Sequence, residues 1–94
     1  MSITRINIFQ AQEGKERELR QLIKSFLPLI ESSQGCLSCA LLQRQDDPAR
    51  LLVIEEWENA EAHRAAASQI PADTLEKARE ILAAPPSGAF YRQL

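Results

Sequence analysis

The chain has no long apolar run, no block of basic residues, one histidine and two cysteines in 94 residues. Each shortage closes off a class of function. Its longest apolar stretches are a few residues, whereas a spanning helix needs about 20, so no segment is expected to cross a membrane. The stretch Met1–Gln10 carries Arg5 and Asn7 among its apolar residues and lacks a charged region followed by an apolar one, so it does not read as a secretory signal. A reducing, cytoplasmic location is the expectation, and there Cys36 and Cys39 are expected to remain free thiols. The 11 basic side chains face 13 acidic ones, for a formal net charge of −2. With no basic cluster to neutralise a phosphate backbone or to hold anionic lipid, nucleic acid and membrane partners are not expected. One histidine cannot complete a zinc tetrad with the two cysteines, nor supply the histidine-rich sets that iron and copper favour, so no metal is expected.

What remains is ordinary globular composition, 45% hydrophobic and 26% charged, in a length that fits one domain over residues 1–94. A chain this short buries only about two-thirds of its unfolded surface and gains from a partner that adds core.

The organisation lies in the periodicity. Ile3 to Phe9 alternates, with Ile6 and Ile8 set against Arg5, Asn7 and Phe9, which predicts a strand with two different faces. Glu13-Gly14 opens a segment in which Leu19, Leu22, Ile23, Phe26, Leu29 and Ile30 recur at three and four residues, one helical stripe. Pro28 removes a backbone donor, so a kink or an end is expected there before a last turn to about Ser33. Cys36–Gln43 and Leu51–Glu58 read as a hairpin about the Asp46-Asp47-Pro48 turn. Asn59 reads as the N-cap of a short helix to about Gln69, Ile70-Pro71 interrupts, and Asp73–Ala84 carries Leu75, Ala78, Ile81 and Leu82 at helical spacing. Pro85-Pro86 stops that helix and Gly88–Leu94 forms a last strand. The resulting βαββαβ order predicts an α+β, ferredoxin-like fold: a four-stranded antiparallel sheet with the helices on one face. The other face is left bare, and a second copy about a two-fold axis is its expected cover.

Four features coincide with a known pattern: the Ile-rich first strand, Glu13-Gly14-Lys15-Glu16 at the helix start, Gln34-Gly35-Cys36 entering the second strand, and Glu55-Glu56-Trp57-Glu58-Asn59-Ala60-Glu61-Ala62 leaving the third. From about Ile3 to Tyr91 the chain resembles the antibiotic biosynthesis monooxygenase family of dimeric α/β barrels. The resemblance implies a homodimer and a cofactor-independent monooxygenase acting on a small aromatic substrate of the quinol or polyketide kind. The same superfamily includes heme-degrading enzymes, isomerases and members without known activity. The alternatives are therefore a non-catalytic small-molecule-binding or accessory barrel and an isomerase.

Asn7 is the most informative position, because Asn is depleted in strand interiors and here interrupts an apolar alternation. It shares a face with Arg5 and Phe9, as Trp57 does with Val53 and Glu55. By resemblance to heme-degrading relatives Asn7 faces a pocket, and by resemblance to the family Trp57 lies beside it, where a flat ring stacks on a planar substrate. Asn7 and Trp57 are the candidates to orient the substrate, with Arg5 to stabilise its anion. Phe9, Val53, Glu55 and Tyr91 are further candidates to line the pocket, and Tyr91 reads equally well as an exposed or dimer-interface residue. The polar and aromatic set is expected on the sheet face away from the helices, leaving Ile6, Ile8, Leu52 and Ile54 to pack beneath them. His63 is expected on a helix surface. The resemblance places the family's histidine where this chain has Ala66, and the heme-degrading enzymes' histidine where it has Ala67. Cys36 and Cys39, three apart on a strand, are expected on opposite faces, unable to share a metal or a disulfide.

Overall fold

The computed structural model describes residues 2–94. The elements follow in the order β1 (Ile3–Gln10), α1 (Glu16–Glu31), β2 (Cys36–Gln43), β3 (Arg50–Trp57), α2 (Ala60–Ala67), α3 (Ala72–Ile81) and β4 (Ser87–Tyr91). The strands form one antiparallel sheet in the order β2-β3-β1-β4, with the helices together on one face, the ferredoxin-like α+β arrangement. No described helix is long and apolar enough to cross a membrane.

Local chemistry accounts for the boundaries. Gly14 at φ 81° and Gly35 at φ 87° supply the left-handed turns on either side of α1. Asn59 caps α2 by accepting the Ala62 backbone N–H on its Oδ1 at 2.8 Å. Pro28 neither ends nor divides α1, which runs unbroken to Glu31. The carbonyl left without a donor is that of Lys24, and both residues are exposed, so the missing bond lies on the solvent side of the helix.

The face assignment is the reverse of the sequence expectation. Leu51, Val53, Glu55 and Trp57 of β3 are the buried residues, and Leu51 and Val53 pack with Leu19 and Ile23 of α1. Phe9 of β1 and Cys39 and Leu41 of β2 join the same cluster. The helices thus cover the odd-numbered face, and Ile6, Ile8, Leu52 and Ile54 point away from them. Apolar content misled here because the polar residues of the odd face are bonded to one another, which removes most of the cost of burying them. The uncovered face carries two apolar cross-strand rows, Leu42–Leu52–Ile8 and Ala40–Ile54–Ile6–Ala89.

A bulge at Leu37 shifts the β2–β3 register, so that Cys36 pairs with Trp57 and Cys39 with Glu55. Both thiols therefore lie on the helix side, not on opposite faces. Partners two residues apart on β3 are roughly 7 Å from each other, at the limit of disulfide reach, and both cysteines are free.

Candidate active site

The site is mounted on the two central strands. Arg5 pairs with Glu55 and Asn7 with Val53 across β1 and β3, so four side chains that matter sit side by side on the helix-covered face. Above them the helices leave a cavity of about 330 Å³. Arg5, Asn7, Phe9, Val53 and Glu55 form its floor. Phe26 of α1, His63 of α2, and Leu75 and Ala78 of α3 enclose it from above. That size suits a small ligand, and a mostly apolar wall with a few convergent polar groups is the usual form of a binding pocket.

The polar groups form one chain of hydrogen bonds. Arg5 Nε donates to Asn7 Oδ1 at 3.0 Å, which fixes the amide so that Asn7 Nδ2 donates to Glu55 Oε2 at 3.2 Å. Trp57 Nε1 donates to the other carboxylate oxygen, Glu55 Oε1, at 2.8 Å. Glu55 is the one buried charged side chain among the described residues, 5% exposed, and two donors are what make that tolerable. Burial still pushes its pKa up, against the pull of Trp57, Arg5 and Asn7.

His63 completes the site. Its side chain is 16% exposed, and its ring meets Trp57 edge-on at 5.5 Å and Phe90 edge-on at 5.2 Å. The expectation of a helix-surface residue is thus overturned: α2 turns this position inward onto the sheet. Burial lowers the His63 pKa first, and the charges of Arg5 and Arg64 lower it further. Its Nε2 lies 3.9 Å from Glu55 Oε1, beyond hydrogen-bond range, so the neutral imidazole approaches the carboxylate without forming an ion pair. Its Nδ1 is buried without a partner. A neutral, desolvated imidazole beside a cation is chemically a base.

The remaining candidates fall elsewhere. Trp57 is fully buried, donates to Glu55, and is not among the residues that line the cavity. Tyr91 pairs with Thr4, on the uncovered face, and is 54% exposed there. Phe90, one residue earlier, is the β4 side chain on the cavity side, with its ring centroid 4.7 Å from Arg5 Cζ. The sequence does set Phe90 and Tyr91 on opposite faces, but only the register with Arg5 says which of them faces the site. Among the described residues no group of three or more metal-binding side chains comes together.

Solved structures share this architecture. A conserved protein from Methanosarcina mazei superposes with a TM-score of 0.89 at 20% identity, over 100% of this chain and 94% of that one. Rv0793 from Mycobacterium tuberculosis gives 0.87 at 19% identity, over 100% and 96%. A Nitrosomonas europaea protein provisionally named an antibiotic biosynthesis monooxygenase gives 0.86 at 20% identity, over 100% and 99%. At these identities the likeness establishes the fold. No curated protein matches the sequence. The family model described as antibiotic biosynthesis monooxygenase matches residues 2–81, most of the chain and all of the cavity floor. The chain belongs to the antibiotic biosynthesis monooxygenase family.

Proposed function

We propose that the protein is a cofactor-independent monooxygenase whose substrate is a small, acidic aromatic molecule of the hydroquinone or anthrone kind. The observation that carries this reading is that His63, its pKa lowered by burial, and Arg5 both line a mostly apolar cavity. His63 removes a proton from the bound substrate, and Arg5 stabilises the oxyanion that results. Asn7 orients that oxygen through the second hydrogen of its Nδ2, the first being given to Glu55. Glu55, held by Trp57, keeps Asn7 in place.

The electron balance supports a reaction without an external reductant. The substrate anion gives an electron to dioxygen, the two radicals join in a C–O bond, and the O–O bond breaks as water leaves. In sum the CH2 of an anthrone becomes C=O, or a ring C–H of a hydroquinone becomes C–OH as the ring goes to the quinone; in either case one oxygen atom enters the product and the other becomes water. Carbon supplies all the electrons that oxygen takes up. The apolar wall keeps bulk water from the radical pair.

We further propose a homodimer in which the uncovered rows through Ile54 and Ile8 of two copies pack face to face. A bare apolar sheet face and a marginal core both favour it.

The deciding experiment is oxygen uptake by the purified chain with a panel of anthrones and naphthohydroquinones. The expected result is one dioxygen consumed per substrate, lost in His63→Ala. The rival reading is a binding module without turnover, favoured by the 3.9 Å gap that leaves His63 and Glu55 unbonded. It predicts ligand-induced quenching of Trp57 fluorescence with no oxygen consumed.

A further inference from the structure

Strand β4 places a glycine where two polar side chains of the cavity need room. In the β1–β4 register Gly88 pairs with Asn7 and Phe90 with Arg5. A Cβ at Gly88 would overlap Arg5 Nη2 and would come within 2.6 Å of Asn7 Oδ1 and 2.7 Å of Arg5 Cζ. The missing side chain is what lets the guanidinium lie against the β4 backbone while its Nε donates to Asn7 at 3.0 Å. The Phe90 ring lies against the same group, 4.7 Å from Arg5 Cζ, and its other contact is the edge of His63. Among the described residues Arg5 makes no ion pair. Its place therefore depends on one hydrogen bond, one ring and one absent methyl group. An arginine has many rotamers, and the one observed sets its charge against Asn7 and the Phe90 ring.

We propose that Gly88 and Phe90 are positioning residues that hold the Arg5 guanidinium at the cavity as the anchor for an anionic oxygen of the ligand. This rests on the proposed function for the ligand's chemistry, but the positioning itself does not. Both residues lie on β4, outside the span 2–81 that the family model matches. The physical content is preorganisation. A guanidinium already stacked on a ring and already bonded through Nε loses little freedom when an anion arrives, so more of the charge-assisted hydrogen bond appears as affinity.

Gly88→Ala tests it with little risk to the fold. Gly88 is exposed, has no positive φ, and the atoms its Cβ would meet are mainly the mobile end of Arg5. Two measurements are made. The first is the titration of the His63 imidazole by NMR, with Arg5→Gln setting the shift expected when the charge is lost. The charged groups near His63 are Arg5 on β1, Glu55 on β3 and Arg64 on α2, and Gly88→Ala displaces only the first. The expected result is a His63 titration moved upward, toward that of Arg5→Gln. The second is binding of two probes by calorimetry, a hydroxynaphthoquinone that is anionic at neutral pH and the uncharged menadione. Gly88→Ala and Phe90→Leu should weaken the anion about tenfold and leave menadione unchanged, and Phe90→Trp should bind as the wild type does. An unmoved His63 titration in Gly88→Ala overturns the proposal, as does equal loss of both probes with a lowered melting temperature. Should neither probe bind the wild type, the ligand reading of the site falls while the His63 titration still decides the positioning.

Discussion

Trp57 donates its indole N–H at 2.8 Å to Glu55, two residues earlier on the same strand, so the largest buried side chain of the core is bonded to its one buried carboxylate. The two are one structural unit. Trp57→Phe keeps most of the apolar volume but removes a donor from a buried charge, and it should cost about 1–3 kcal/mol in a urea melt. A cost no larger than that of an exposed substitution would show that Glu55 does not need the bond.

The pH dependence of stability should have two opposed components. Burial raises the Glu55 pKa above its ordinary 4.5, so just above that pH the folded chain keeps a proton that the unfolded chain has lost. The Glu55 contribution is thus present below 4.5 and is lost as pH rises through the folded pKa. His63 is depressed below its ordinary 6.5, so its contribution is present above 6.5 and is lost as pH falls through the folded pKa. Glu55→Gln should abolish the first slope and His63→Gln the second, as read from urea midpoints across pH 4.5 to 6.5 and above.

His63→Ala should lower turnover at least a hundredfold if the imidazole is the general base, since such a group supplies about 10²–10⁴-fold. It should also cost about 1 kcal/mol of stability, above the roughly 0.5 kcal/mol of a surface change, because two ring contacts are lost. Unchanged oxygen uptake would remove His63 from the chemistry.

The order of elements along the chain, the hairpin, the Asn59 cap and the break at Ile70-Pro71 were legible in the sequence because each rests on local chemistry, whereas α3 ends at Ile81, short of the Ala84 expected before Pro85-Pro86, where Leu82 turns extended to bridge Ala11. The face assignment was not. Alternation says that Arg5, Asn7 and Phe9 share a face, and the structure keeps them together on the cavity floor with Val53 and Glu55. It does not say which face the helices cover, because the bond that joins the Arg5–Asn7 pair to the Glu55–Trp57 pair, Asn7 Nδ2 to Glu55 Oε2, exists only once β1 and β3 are paired. His63 was misplaced for a related reason. Its inward position depends on how α2 is rotated over Trp57, a tertiary fact with no signature in a stretch of alanines. The Cys36–Cys39 geometry turned on a single bulge at Leu37, which strand periodicity cannot reveal.

The dimer prediction follows from the corrected faces. Sedimentation should give twice the 10.6 kDa chain mass. Ile54→Lys should yield a folded monomer, because that side chain lies outside the helix-covered core. Val53→Lys should unfold the chain, because Val53 is 2% exposed within it. A monomeric wild type would remove the proposed face-to-face packing and leave the cavity argument intact.

Cysteine reactivity should be low. Burial, followed by the Glu55 charge, pushes the Cys39 thiol up to about 12, and the same two causes raise Cys36. Thiolate is the reactive form, so iodoacetamide near neutral pH should label the native chain far more slowly than the urea-unfolded chain, as read by intact mass. Equal rates would mean that the helix side of β2 is open.

The cavity has two unlike walls. On β3 every second residue is buried, whereas α3 has no fully buried residue at all. Amides of β3 should therefore exchange only on global unfolding, and those of α3 through small local openings. The division separates two kinds of selectivity. On the proposed function, side chains on β1 and β3 would read the charge and hydrogen-bonding groups of the substrate from fixed positions, while α3 would set the admissible size and yield to it. Substrate range should then evolve by change in Thr74, Leu75 and Ala78 without disturbing the reaction.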